Sequence, residues 1–332
     1  MPERTSDPNQ PAVTAVEISD PTEASRGIDG INIDAMQLTS APFNVRRVVV
    51  RLDGAVVVYH SVSHRVRTRT KVLPGFLAFM TIGPQSKVTV NGLPVLPEVM
   101  LAAEAETEVT FVAEPGYESV TFLVPPEEIR AHWSDRRREG SFRPLHGIER
   151  LRANPELVRR LFSWGKRMVE AAARQPEVFD DRREARAAAR VEMVESLLST
   201  LDETSGFEPI RADKTLQSQA LIVRKAEDYA LSHAGEHVYV SDLCRAAAVG
   251  ERALEYAFKE VMGSTPVAHL VRLRLHRVRQ ALQASPRGST TVSAVALDWG
   301  FWHFGEFSRS YKNCFGERPS ETLRRGPDQK RS

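Results

Sequence analysis

The chain has 332 residues, 42% hydrophobic and 27% charged, with 45 Lys and Arg against 43 Asp and Glu. That is the profile of a folded protein of about two domains and not of a disordered one. It has no apolar run near the roughly 18–20 residues of a membrane span, its polar start lacks the basic-then-apolar order of a secretory leader, and its cysteines, Cys244 and Cys314, have no disulfide-framework or metal-ligand spacing. The expectation is a cytoplasmic protein with no membrane association.

Residues 1–30 read as a disordered tail, because Pro2, Pro8, Pro11 and Pro21 interrupt a segment with few large apolar groups. From 31 to 204 the expectation is one domain that begins with strands. Phe43–Leu52 and Ala55–His60 are rich in valine and flank Asp53-Gly54, a hairpin signal, and Asn91-Gly92 marks a second turn between Lys87–Val90 and Leu93–Val95. Further short strands are expected at Leu77–Ile82, Val99–Ala103, Val109–Val112 and Ser119–Val124, giving an antiparallel sandwich or barrel. Past Pro125-Pro126 the period becomes helical. Leu151, Leu157, Leu161, Trp164, Met168 and Ala172 recur at three- and four-residue steps, as do Val191, Val194, Leu198 and Leu201. These stripes need a partner, and a homodimer seam is the simplest one. Residues 205–216 read as a linker.

Residues 217–325 carry an internal repeat, and 326–332 form a tail. Val240-Ser241-Asp242-Leu243 through Val249 aligns with Val292-Ser293-Ala294-Val295 through Phe301; one residue of insertion later, Leu254, Phe258, Lys259, Gly263 and Pro266 meet Phe307, Tyr311, Lys312, Gly316 and Pro319. Each copy has a short apolar helix, a tight turn, a second helix, then a glycine and a proline that stop it. That is the pattern of a helix-turn-helix. A long helix, Pro266–Ala284, joins the copies and holds Arg272, Arg274, Arg277 and Arg279 without an acid, so each arginine is either part of a scaffold or a phosphate contact. From Gln217 onward 17 Lys and Arg stand against 12 Asp and Glu, which suits a polyanionic partner. The fold class is α+β: a β sandwich or barrel with a helical dimerisation segment, then an all-α domain of two helix-turn-helix units joined by a long helix.

These residues resemble the AraC/XylS family of transcription regulators. The likeness covers nearly all of 217–325 and rests on Leu243, Leu254, Phe258-Lys259, Gly263 and Pro266, then on Ala296, Gly300-Phe301, Phe307-Ser308-Arg309, Tyr311-Lys312, Phe315-Gly316 and Pro319. It implies a cupin-like N-terminal domain that senses a small organic effector and dimerises, double-stranded DNA and RNA polymerase as partners, and activation of transcription. The chain departs from the family at Gly250 and Gly305, where serine is common, at Trp302-His303, where small polar residues are common, and at Thr322, where an aromatic is frequent.

A recognition helix buries one face and offers the other to the major groove. With Leu254, Ala257 and Phe258 inward, Arg252, Glu255 and Tyr256 are base-contact candidates; Arg252 and Glu255 also match positions the family uses for that purpose. The other reading of Glu255 is a surface pair with Arg252 or Lys259. With Phe307 and Tyr311 inward, the second unit offers Phe304, Glu306, Ser308 and Arg309. Phe304 is expected in a packed corner with Trp302 more readily than against a thymine methyl. Lys259 and Lys312, late in their helices, are phosphate candidates.

The first two-thirds shows no effector signature, no nucleophile–base arrangement and no phosphate loop, and His60, His64, His132 and His146 lack metal-ligand spacing. No catalytic residue, metal or cofactor is therefore assigned. A cupin-type enzyme carrying a DNA-binding module, and a regulator whose N-terminal domain only oligomerises, are the alternatives. Arg65, Arg67, Arg69 and Lys71 alternate along one face and read as a solvated edge strand in preference to an anion site.

Overall fold

The computed structural model of the protein describes residues 10–40, 42–136, 145, 147–203, 207–209, 214–233, 236, 238–286 and 288–327. The first half consists of strands β1 (Val13–Ile18), β2 (Ile31–Gln37), β3 (Val45–Leu52), β4 (Ala55–Val62), β5 (Val66–Val72) and β6 (Leu77–Ile82). They are followed by β7 (Val88–Val90), β8 (Leu93–Val95), β9 (Met100–Ala103), β10 (Glu108–Ala113) and β11 (Tyr117–Val124). Helix α1 (Pro126–Arg136), strand β12 (Ile148–Leu151), helices α2 (Pro155–Arg174), α3 (Glu177–Asp180) and α4 (Arg183–Asp202), and strand β13 (Phe207–Pro209) complete it.

Two antiparallel sheets face each other. One runs β1-β3-β4-β11-β6-β9-β12-β13 and the other β2-β5-β10-β7-β8. The expected turns open tight hairpins: Asp53 and Gly54 have φ of 47° and 116°, and Asn91 and Gly92 have 49° and 81°, the left-handed pair that two-residue hairpins need. Alternation sorts the strands of the larger sheet. Val49, Val58 and Leu123 point between the sheets, while Val48, Val50, Val57, Val120 and Phe122 point outward. The outward set is covered by Val158, Leu161, Phe162 and Val169 of α2 and by Met193, Val194, Leu197, Leu198 and Leu201 of α4. Gly165 permits this approach, because a Cβ there would lie 2.7 Å from a Val120 methyl.

Several expectations change here. Residues 13–18, assigned to the tail, form an edge strand paired with β3 from Val13 opposite Val50 to Ile18 opposite Val45; residues 1–9 lie outside the described residues. The stripe assigned to a homodimer seam is covered within the chain: Val194, Leu198 and Leu201 are buried against the larger sheet, and only Val191 is exposed. The apolar face of α4 found a sheet, which periodicity alone does not distinguish from a second subunit. In the stretch read as a linker, 207–209 pairs with β12 and a helix begins at Lys214; residues 204–206 and 210–213 lie outside the described residues. Of the C-terminal tail, 328–332 lie outside them too.

The rest is helical: α5 (Lys214–Ser232), α6 (Val240–Ala247), α7 (Glu251–Met262), α8 (Pro266–Ala284), α9 (Val292–Asp298), α10 (Phe304–Phe315) and α11 (Pro319–Arg324). Two cores share α8. Leu270 and Leu273 join Leu243, Leu254, Ala257 and Phe258 in the first, and Leu275, Val278 and Leu282 join Val295, Ala296, Phe307 and Tyr311 in the second. Among the described residues no helix is long and apolar enough to cross a membrane.

Candidate nucleic-acid interface

The repeat becomes two copies of one local structure. In the first, the Asp242 carboxylate accepts from the Tyr239 N–H at 2.9 Å as α6 begins; in the second, Thr291 Oγ1 accepts from the Ala294 N–H at 3.1 Å as α9 begins. The turn after each short helix holds one left-handed residue, Ala248 with φ 57° and Gly300 with φ 74°. The second helices, α7 and α10, end on left-handed Gly263 and Gly316, whose N–H groups reach the Lys259 and Lys312 carbonyls.

Ala248 is exposed and occupies the conformation that its counterpart fills with glycine. Removing its Cβ relieves left-handed strain at the cost of a more flexible unfolded chain. Ala248→Gly is therefore expected to stabilise by about 0.5–1 kcal/mol, read as a higher urea midpoint with an unchanged slope.

On α7, Leu254, Ala257 and Phe258 are buried, and Arg252, Glu255, Tyr256 and Lys259 are exposed. On α10, Phe307 and Tyr311 are buried, and Phe304, Glu306, Ser308, Arg309 and Lys312 are exposed. The structure thus gathers the base-contact and phosphate candidates on the outer faces of the two matched helices. Among the described residues Glu255 forms no ion pair with Arg252 or Lys259, so the surface-pair reading is not realised. Phe304 and Trp302 are 41% and 56% exposed, so the packed corner expected for them is absent. The second core is already filled by Phe301, Phe307, Tyr311 and Phe315, whose rings pack in succession at centroid distances of 5.0, 5.8 and 4.7 Å.

Helix α8 acts as a scaffold. Arg272 donates to the Gln37 carbonyl at 3.3 Å, Arg277 pairs with Asp34 at 2.9 Å, and Arg279 pairs with Asp20 and Glu317 at 2.7 and 2.8 Å. These three guanidinium groups face the β-domain or the second unit, which leaves them unsuited to phosphates.

The arginine-rich strand is not an edge. β5 lies between β2 and β10, and its arginines meet the C-terminal helices. Arg65 donates to the Met262 carbonyl at the end of α7 at 2.7 Å. Arg67 and Arg69 both grip Glu227 of α5, Arg69 at 2.8 Å, and Arg69 also meets Asp228 at 2.6 Å. His269 Nε2 of α8 lies 2.6 Å from the other Glu227 oxygen. Burial pushes the Glu227 carboxyl up, but Arg67, His269 and Arg69 outweigh it and hold the group well below its ordinary value. Sequence reasoning missed this centre. Its signals were an acid at a buried position of the Val223, Ala226, Ala230 stripe and a strand of alternating cations, with nothing in the sequence to join them.

Among the described residues no group of three or more His, Cys, Asp or Glu is placed to hold a metal ion. Both cysteines are free, and burial pushes the Cys314 thiol up to about 11.

Comparison with known proteins bears on these two units. A family described as a helix-turn-helix domain matches residues 243–325. The probable thc operon regulatory protein of Rhodococcus erythropolis is 38% identical over 106 residues, 32% of this chain and 32% of that protein. The XylDLEGF operon transcriptional activator of Pseudomonas putida is 32% identical over 88 residues, 26% of this chain and 27% of its own. Residues 243–325 thus form a helix-turn-helix domain similar to those of AraC/XylS transcriptional regulators. A solved structure of a probable AraC family transcriptional regulator from Rhodopseudomonas palustris is 34% identical and is matched over 32% of this chain and 97% of that one, with a TM-score of 0.30. The matches span about a third of the length of these curated relatives.

Two of the departures from the AraC/XylS pattern lie in well-defined surroundings. Gly250 leaves α7 without a side-chain cap, and a Cβ there would meet nothing within 4 Å, so serine is absent for no steric reason. Thr322 is buried and shares its hydroxyl with Tyr311 at 2.8 Å and Glu317 at 2.8 Å, a polar closure where relatives often place a ring.

Proposed function

We propose that this chain is a sequence-specific regulator of transcription that lays α7 and α10 in the major groove of double-stranded DNA. Arg252, Glu255, Tyr256, Phe304, Glu306, Ser308 and Arg309 read bases, and Lys259 and Lys312 hold phosphates. The observation that carries this reading is the matched exposure of these side chains on two helices built as copies of each other. Activation of transcription through RNA polymerase, in the cytoplasm and as a homodimer, completes the reading; the activator named in Pseudomonas putida supports its direction. The proposed dimer seam lies elsewhere than the Val194–Leu201 stripe, which the chain covers itself.

The β-domain supplies the sensor. A cavity of about 120 Å³ lies between the sheets, lined by Ile31, Val45, Val62, Met80 and Phe111 among others, with few polar groups. Such a site suits a small, mostly apolar organic effector and favours sensing over oligomerisation alone.

Selection of bound duplexes from a random pool by the full chain tests the DNA reading. The expected result is a site of two parts about one helical turn apart, bound about tenfold more weakly when salt doubles from 0.1 to 0.2 M, given about four neutralised phosphates. If no sequence is enriched and no duplex is shifted at low salt, the proposal fails.

A further inference from the structure

The two helix-turn-helix units part company at one place. Val249 and Phe301 stand at the same point of the two turns. Val249 is followed at once by Gly250, the residue before α7, whereas Phe301 is followed by Trp302 and only then by His303, the residue before α10. Trp302 is therefore the inserted residue of the repeat. From His303 onward the registers run together, with Phe304 in the place of Glu251, Gly305 in that of Arg252 and Lys312 in that of Lys259. The first turn of α10 thus holds a ring and a glycine where α7 holds two charged side chains.

Neither Trp302 nor Phe304 serves the core. They are 56% and 41% exposed, and among the described residues of the second unit they are the large apolar side chains left in water. Aromatic rings are seldom left so without a partner to cover them. Their surroundings say what kind of partner. Gly305 begins a line on α10 that Arg309 and Lys312 continue at helical spacing, all three exposed. A Cβ at Gly305 would meet nothing within 4 Å, so no packing within the chain asks for glycine there. Its bare backbone lets the first turn of α10 come close to a surface, with Phe304 at the edge of the contact. An apolar pair that runs into a basic line fits a polyanion bearing apolar points. In the major groove of duplex DNA that point is the C5-methyl of thymine, which adenine, guanine and cytosine lack.

We propose that Trp302 and Phe304 make the second unit a reader of thymine, through apolar contact of their rings with its C5-methyl group. This rests on the DNA reading given above and names the base. It divides the site chemically. The first unit reads with hydrogen-bonding charges, Arg252 suited to guanine and Glu255 to cytosine, while the second reads with rings that hydrogen-bond no base acceptor as Arg252 does. Taking one methyl out of water contributes about as much as burying one CH₂ group, about fourfold in affinity.

The test uses the full chain and the duplex that it enriches most from a random pool. Thymines in each part of the site are replaced in turn by deoxyuridine, which removes the methyl and keeps the pairing. The expected result is that replacement in one part weakens binding about fourfold for each methyl contacted. The double variant Trp302→Ala, Phe304→Ala is expected to bind the thymine and uracil duplexes alike, with an unchanged urea midpoint because both side chains are exposed. Photocrosslinking needs no variant: 5-iodouracil puts iodine where the methyl stands, and irradiation of the unaltered protein on that duplex is expected to join it to Phe304 or Trp302. Four results overturn the assignment and leave the DNA reading in place: a selected site without thymine, uracil duplexes bound as tightly as thymine ones, a double variant that keeps the difference, or a cross-link on other residues alone. If no duplex is selected at all, the DNA reading fails and the assignment fails with it.

Discussion

Glu227→Ala is expected to destabilise the full chain by about 3–5 kcal/mol, read as a fall in the urea midpoint, because it leaves buried guanidinium groups without their anion. The side chains of Arg67 and Glu227 are 1% and 2% exposed, so water cannot take over the lost interaction. The remaining acids are poorly placed: Asp34 lies 3.7 Å from Arg67, and Asp228 is half exposed and already engaged by Arg69. Adding Arg67→Met to Glu227→Ala is expected to recover much of the loss, since an apolar pair tolerates burial better than a lone charge. The cluster also predicts a pH dependence. The folded Glu227 carboxyl lies below its unfolded value, so its contribution is complete above the ordinary carboxylate range and fades as pH falls through the folded value. Glu227→Ala should therefore flatten the acid limb of the stability profile. A loss under about 1 kcal/mol, with an unchanged acid limb, would mean the charges are solvated and do not join the β-domain to α5 and α8.

The position of Glu227 shows where sequence reasoning stops. Strands from Val45 to Val124 were legible because Val, Ile and Phe alternate between turns such as Asp53-Gly54 and Asn91-Gly92, a local property of each segment. The helix-turn-helix pair was legible because the chain states it twice, with Leu254 and Phe258 answered by Phe307 and Tyr311. Relations between distant segments were not. Arg67 and Glu227 stand 160 positions apart, and each alone reads as a solvated charge. Likewise Asp20 lies in a stretch rich in proline that resembles a tail, yet it is buried against Arg279 and Gln283 of α8 at 2.7 and 2.6 Å. The stripe on α4 showed that an apolar face was covered without saying by what.

The division between reading bases and holding the backbone is tested by two variants of α7. Arg252 lies at the start of the helix, exposed and without a partner among the described residues, where a guanidinium can fork onto guanine O6 and N7. Arg252→Ala is expected to cost about 1–3 kcal/mol on a selected duplex and little on a scrambled one. Lys259 lies two turns on, in the last turn before Gly263, where the helix leaves the groove floor and its ammonium meets a phosphate. Lys259→Ala is expected to weaken both duplexes alike and to make the slope of affinity against salt shallower by about 1. Titrations of both variants against both duplexes at several salt concentrations separate the roles. Because Lys259 is exposed and free of ion pairs among the described residues, a loss on both duplexes is a loss of DNA contact, provided the urea midpoint is unchanged. If Arg252→Ala loses equally on the two, that arginine is a phosphate contact. Base reading by the first unit then falls to Glu255, which can accept from cytosine N4, and to Tyr256, 55% exposed on the same face.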